Sequence, residues 1–177
     1  MQALVSRELS LWEACGAEAS RGRHAANARH VLRRAVLLGG GLASLLSCVT
    51  WASRTRVVGT LTTDPAVRSL ALAVMPAVLL TQVLKGLAYP SNAILMSGRD
   101  WIASTTSMWL ASASLVAMLT YGRSPLRAGL SGLSAYGATA GALRTIWVAL
   151  GACFAMQVLT ALARVSSGRG IWRALRD

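Results

Sequence analysis

Residues 82–100 read QVLKGLAYPSNAILMSGRD, and the single ammonium group inside that apolar run decides how the chain is read. Between Ser69 and Asp100 the charged side chains are Lys85 and Arg99, so the segment is about as hydrophobic as a bilayer demands while holding a cation well within its limits. Ionisable side chains in spanning helices normally face a bundle interior or a water-filled cavity, because exposure to lipid at mid-depth costs roughly 2.5 to 3.5 kcal/mol or more. Lys85 is therefore the first functional candidate.

The rest of the chain agrees with that reading. Of 177 residues, 54% are hydrophobic and 14% charged, and the mean hydropathy is +0.51. Few water-soluble domains of this size have such a balance. The net charge of +12 raises the question of nucleic acid. The arginines, however, sit in short segments between long apolar runs and not along one face of a soluble fold, so a nucleic-acid partner is not expected. Cys15, Cys48 and Cys153 are odd in number and widely spaced, with no C-x-x-C pair and no histidine at ligand spacing. Neither a disulfide framework nor a metal site is predicted. No cofactor is expected, and no nucleophile with a base, paired carboxylates or metal cluster points to an enzyme.

Working outward from residues 82–100, the pattern predicts an all-α, polytopic membrane protein of about four transmembrane helices. Residues 35–52 carry no charge and are flanked by Arg33, Arg34, Arg54 and Arg56. At roughly 1.5 Å per residue this run matches the hydrocarbon thickness. Its Gly39-Gly40-Gly41 lets a neighbouring backbone approach closely in lipid. A second helix, 67–97, starts at Asp64-Pro65, a capping residue followed by proline at the first helical position. Pro76 and Pro90 each remove a backbone donor from it and invite a bend. Asp100 is read as the cap of a third helix, 101–121, and the short turn at 98–100 implies antiparallel neighbours. A loop at 122–144, with a surface helix near 133–143, leads to a fourth helix at 145–163. For Asp64 and Asp100, capping explains the residue without chemistry.

The domain plan is a polar cytoplasmic segment at 1–34 (the end of a preceding helix plus a loop), a four-helix region at 35–165, and a basic tail at 166–177. Four crossings put both ends of the chain on one side, which carries eleven arginines against six opposite. The positive-inside rule makes that side cytoplasmic, or stromal in a plastid. His24 and His30 read as solvated, Trp51, Trp101 and Trp172 as interfacial, and Trp109 and Trp147 as packing residues.

Four patches resemble, in order, the C-terminal half of the MATE (multidrug and toxic compound extrusion) family. Residues 2–7, QALVSR, look like the end of that family's eighth helix, and Ala28-Arg29 like the cytoplasmic segment after it. Residues 61–67, LTTDPAV, resemble its Phe-Thr-x-Asp-x-x-Val turn. Residues 82–100 are similar to a patch running from Gln-Pro-Leu-Asn-Ala through Asp-Gly-Ile-Leu to Gly-x-x-Asp. The tail 164–172, RVSSGRGIW, resembles that of the DinF-like branch found in plastids and bacteria. Three departures stand out. Lys85 replaces a polar amide, Asn92 replaces an acid, and residues 10–27 look like an insertion.

The resemblance implies a twelve-helix secondary antiporter that exports an organic solute, in xenobiotic or multidrug efflux, in exchange for protons or sodium. This chain would supply the last part of it, so a fragment is expected, with the N-terminal helical bundle as missing partner and membrane lipid around both. Lys85, with Gln82 on the same helix face and Asn92 further along, is the expected lining of the solute cavity, and the added cation implies an anionic solute. The competing expectation for Lys85 is a purely structural role. The competing expectation for the chain is a small four-helix scaffold or assembly subunit without transport. The tail resemblance admits a plastid envelope.

Overall fold

The computed structural model describes residues 2–14, 18–122, 136–169 and 172. Six helices account for nearly all of them: α1 (Gln2–Ala14), α2 (Glu18–Ala52), α3 (Arg54–Leu61), α4 (Pro65–Ser97), α5 (Trp101–Tyr121) and α6 (Tyr136–Ser166). No strand occurs among the described residues. Four helical stretches are long and apolar enough to cross a membrane, at Gly22–Ala52, Pro65–Ser97, Trp101–Tyr121 and Thr139–Ser166. Large apolar side chains on their outer surfaces, such as Leu38, Leu42, Leu80 and Leu162, are exposed, as lipid-facing positions must be. The protein is an integral multi-pass membrane protein.

Two boundaries differ from the sequence reading. Where a loop was expected before residue 35, α2 is already helical from Glu18. Alanine and arginine are strong helix formers, and Ala25 and Ala28 are buried in one cluster with Val5 and Leu9 of α1. Packing supplied by α1 therefore carries the helix beyond the bilayer. Helix α6 likewise starts at Tyr136, nine residues before the expected helix. The rest of the expected loop, residues 123–135, lies outside the described residues, as do Cys15 and most of the basic tail.

The layer order differs too. A tight turn joins α4 to α5, yet these helices touch little beyond it, because α6 packs against both. Small and hydroxylated residues explain the insertion. On α6, Ala142, Ala149, Gly151 and Ala161 are buried. The facing surface of α5 presents Ser104, Ser107 and Ala111, and that of α4 presents Val74, Thr81 and Ala88, all buried. Within lipid no hydrophobic force drives helices together, so close approach of small residues and interhelical hydrogen bonds decide the neighbours. Ser107 Oγ and Thr160 Oγ1 lie 2.6 Å apart across α5 and α6. Thr81 Oγ1 donates between its own Ala77 carbonyl (2.8 Å) and the Trp147 carbonyl of α6 (3.0 Å). Trp147 is half-buried, whereas Trp109 is 73% exposed and belongs to the lipid-facing surface, not to the packing.

On its other side α4 meets α2 at a glycine crossing. A Cβ placed on Gly39 would lie 2.7 Å from the Gly86 carbonyl oxygen, and one on Gly86 would lie 2.9 Å from the Gly39 oxygen and collide with Ala43. The two backbones therefore approach so closely that neither position has room for a side chain, the kind of contact small residues allow between membrane helices. Pro90 lies at the same crossing, and its missing N–H leaves the Gly86 carbonyl without its usual helical donor. The same proline side chain would meet a Gly39 Cβ at 3.2 Å.

Candidate solute groove

Below that crossing α2 and α4 enclose a groove of about 380 Å³. Ala43, Leu46, Ser47 and Thr50 of α2 form one wall, and Leu79, Gln82, Lys85, Gly86 and Tyr89 of α4 the other. Its volume falls within the range of small-molecule sites, roughly 300 to 1,000 Å³, and its lining is mainly apolar with a few polar groups. Lys85 is half-buried. Its Nζ sits 5.5 Å from the centroid of the Tyr89 ring, within cation–π range. Tyr89 is braced in turn by an edge-on contact to Phe154 of α6, with centroids 6.4 Å apart. Gln82, one turn earlier, is exposed on the same face.

The structure thus brings Lys85 and Gln82 to one groove. Asn92 is elsewhere: its Oδ1 accepts from Ser104 Oγ at 3.1 Å, tying α4 to α5 near their turn. Sequence reasoning passed over Tyr89. Its spacing of four from Lys85 was the available signal, since residues so placed stack along one helical face.

Both aspartates singled out in the sequence act at helix starts. Asp64 accepts from the Ala66 N–H at 2.8 Å, and Asp100 from the Ala103 N–H at 3.3 Å. Asp100 does more. Its Oδ2 accepts from Arg164 Nε at 2.5 Å and from Trp172 Nε1 at 3.1 Å, so the start of α5, the end of α6 and the segment after it meet at one carboxylate. Burial pushes this carboxyl up, but the Arg164 and Trp172 hydrogen bonds, the Ala103 N–H and the guanidinium charge outweigh it and hold the pKa below its ordinary value. Trp172 is fully buried here, not interfacial as its place near the tail suggested.

The turn feeding this knot closes with a left-handed residue. Asp100 N–H bonds back to Leu95 O at 3.2 Å and Arg99 N–H to Met96 O at 3.1 Å, a Schellman-type helix end. Glycine normally takes its left-handed position, yet here Arg99 does, at φ 55°. Gly98, one residue earlier, is held for another purpose, because a Cβ on it would meet the Trp172 ring at 2.5 Å. Near the start of α2, His24 is also less solvated than its surroundings suggested: its Nδ1 lies 2.8 Å from Glu8 Oε2, tying α2 to α1. His30 is exposed.

Among the described residues no group of three or more His, Cys, Asp or Glu is placed to hold a metal ion. No curated protein and no solved structure matches the chain. The model of one protein family, MatE, matches residues 15–122, more than half of the chain and the stretch that contains α2 to α5, the groove and the Asp100 cap. Three of the four spanning helices and the glycine-lined crossing lie in that stretch, and the chain belongs to the MatE family.

Proposed function

We propose that this chain forms part of the solute path of a secondary antiporter that moves an organic anion against a flow of protons or sodium. The observation that carries the reading is Lys85, an ammonium group set mid-span in a groove of ligand size, with the Gln82 amide one turn away and an aromatic ring beneath it. A carboxylate or phenolate entering the groove would take a charge-assisted hydrogen bond from Lys85, a second bond from Gln82, and apolar contact from Leu46 and Leu79.

Coupling needs a group that exchanges a proton or sodium ion, and the four spanning segments contain no Asp or Glu. We therefore assign the coupling site to helices that pair with this set, the N-terminal bundle of a complete MATE-type transporter. Asn92 is the remaining cavity candidate. Its bond to Ser104 gives it a supporting position near the α4–α5 turn and not direct solute contact. The sequence of the tail is what favours the DinF-like branch and, with it, a plastid or bacterial membrane.

The test measures binding of salicylate and of an organic cation of similar size to the purified chain in neutral detergent, and their gradient-driven uptake by proteoliposomes. Salicylate binding that weakens about tenfold or more in Lys85→Gln, with cation binding unchanged, supports the assignment. Equal affinity for both ions in the wild type and the variant refutes it. Binding without uptake would place coupling outside this chain, and neither activity would leave the scaffold reading in its place.

A further inference from the structure

One face of α2 stays exposed for most of the helix and changes chemistry partway along it. Arg23, His30, Arg33 and Arg34 project from that face in its first half, all exposed. One turn on, the same face continues as Leu37, Leu38, Leu42 and Leu45, each 60% exposed or more. Residues at these spacings lie along one side of a helix. The apolar portion can face acyl chains, which fixes the depth of the basic portion. Arg33 and Arg34 lie about 5 Å beyond Leu37, at headgroup level, and Arg23 about 16 Å further out.

The arginines at this end are also used differently from some at the opposite end. Arg54 stacks over Trp51 at 4.4 Å and donates to the Trp51 carbonyl, and Arg68 donates to the carbonyls of Gly59 and Thr62 at the end of α3. Neither Arg23, Arg33 nor Arg34 takes part in either ion pair found among the described residues. Of the acids whose side chains are described at this end, Glu8 pairs with His24, Asp100 pairs with Arg164, and Glu13 lines a pocket with Arg99 and Arg169.

We propose that the extended first half of α2 is a docking surface for anionic lipid, with Arg33 and Arg34 as the headgroup contacts and Arg23 as an outer one. The partner is a lipid and not a soluble phosphate, because the guanidinium cluster runs without a break into an apolar stripe that a lipid's chains would cover. Guanidinium forks match phosphate oxygens, and juxtamembrane basic clusters are attracted to anionic leaflets.

The experiment is native mass spectrometry of the full chain in neutral detergent with added phosphatidylglycerol or phosphatidylcholine. The wild type is expected to retain phosphatidylglycerol preferentially. R33Q/R34Q should lose that preference by roughly tenfold, whereas R33K/R34K should keep most of it. R56Q/R144Q, which removes two exposed arginines from the opposite end, should behave as wild type. The proposal is overturned if both lipids are retained equally, if R33Q/R34Q is unchanged while helical by circular dichroism, if R56Q/R144Q loses as much, or if equimolar inorganic phosphate displaces the lipid.

Discussion

Replacing Asp100 by Asn removes one charge from a site where three elements converge, and the structure sets the size of the effect. The asparagine has one oxygen for both sets of donors. Kept on the Ala103 N–H, it turns an NH2 donor toward Arg164 and Trp172; flipped, it offers them only a neutral acceptor and leaves Ala103 unpaired. Hydrogen bonds to a charged group contribute about 1.5 to 3 kcal/mol when shielded. Arg164 is 35% exposed against 13% for Asp100, so its share is discounted for solvent screening to about 0.5 to 1 kcal/mol. Trp172 is fully buried and supplies the rest, giving about 2 kcal/mol in all. SDS-induced unfolding in mixed micelles, followed by circular dichroism, measures it. A double-mutant cycle with Trp172→Phe should return a coupling of about 1 kcal/mol. The carboxyl is held below its unfolded pKa of about 3.9, so its stabilisation is present above that value and fades as pH falls through the folded pKa. Wild type and D100N should differ by a constant amount from pH 5 to 8 and converge in stronger acid. A cost below 0.5 kcal/mol at pH 7, or a gap that persists unchanged in acid, would refute the reasoning; both thresholds follow from the charged nature of the bonds.

The other predictions concern close contacts. Gly98→Ala should displace the Trp172 ring and destabilise by about 1 to 3 kcal/mol, whereas Arg99→Gly should be stabilising by up to about 1 kcal/mol, since glycine adopts its left-handed φ without strain; the same unfolding assay reads both. Gly86→Ala should force α2 and α4 apart at a similar cost of about 1 to 3 kcal/mol. Gly41→Ala, which meets nothing within 4 Å, should raise stability slightly. Thr81→Val should cost about 0.6 kcal/mol, typical of an interhelical hydrogen bond in a membrane protein. Losses several-fold larger would mean that the bond to Trp147 organises more than the local contact.

The spans were legible because lipid imposes a one-dimensional rule: a long uncharged run between arginines needs no partner to be recognised. Helix caps were legible for a similar reason, since Asp64-Pro65 and Gly98-Arg99-Asp100 act within a few residues. What lay beyond reach was whatever depends on a neighbour far along the chain. Residues 18–34 look like a polar linker until α1 is seen covering Ala25 and Ala28. The turn between α4 and α5 hides the fact that α6 separates them, because the decisive contacts, Ser107 to Thr160 and Thr81 to Trp147, join positions 53 and 66 residues apart. Trp172 reads as an anchor by composition, yet Gly98 leaves it a socket more than seventy residues upstream. For the groove, sequence singled out the ammonium and the amide but not the tyrosine beside the ammonium, whose ring contact to Phe154 is also long-range.

The position of α6 bears on how the protein is made. Synthesis runs from the N-terminus, so α4 and α5 reach the bilayer before the helix that will fill the space between them. During that interval the hydroxyls of Ser107 and Thr81 face acyl chains or each other's vicinity with no Thr160 or Trp147 to meet them. The nascent hairpin must therefore stay parted, or reopen, to admit a late arrival. A mutation that glues α4 to α5 directly would harm biogenesis while leaving every contact of the finished protein available.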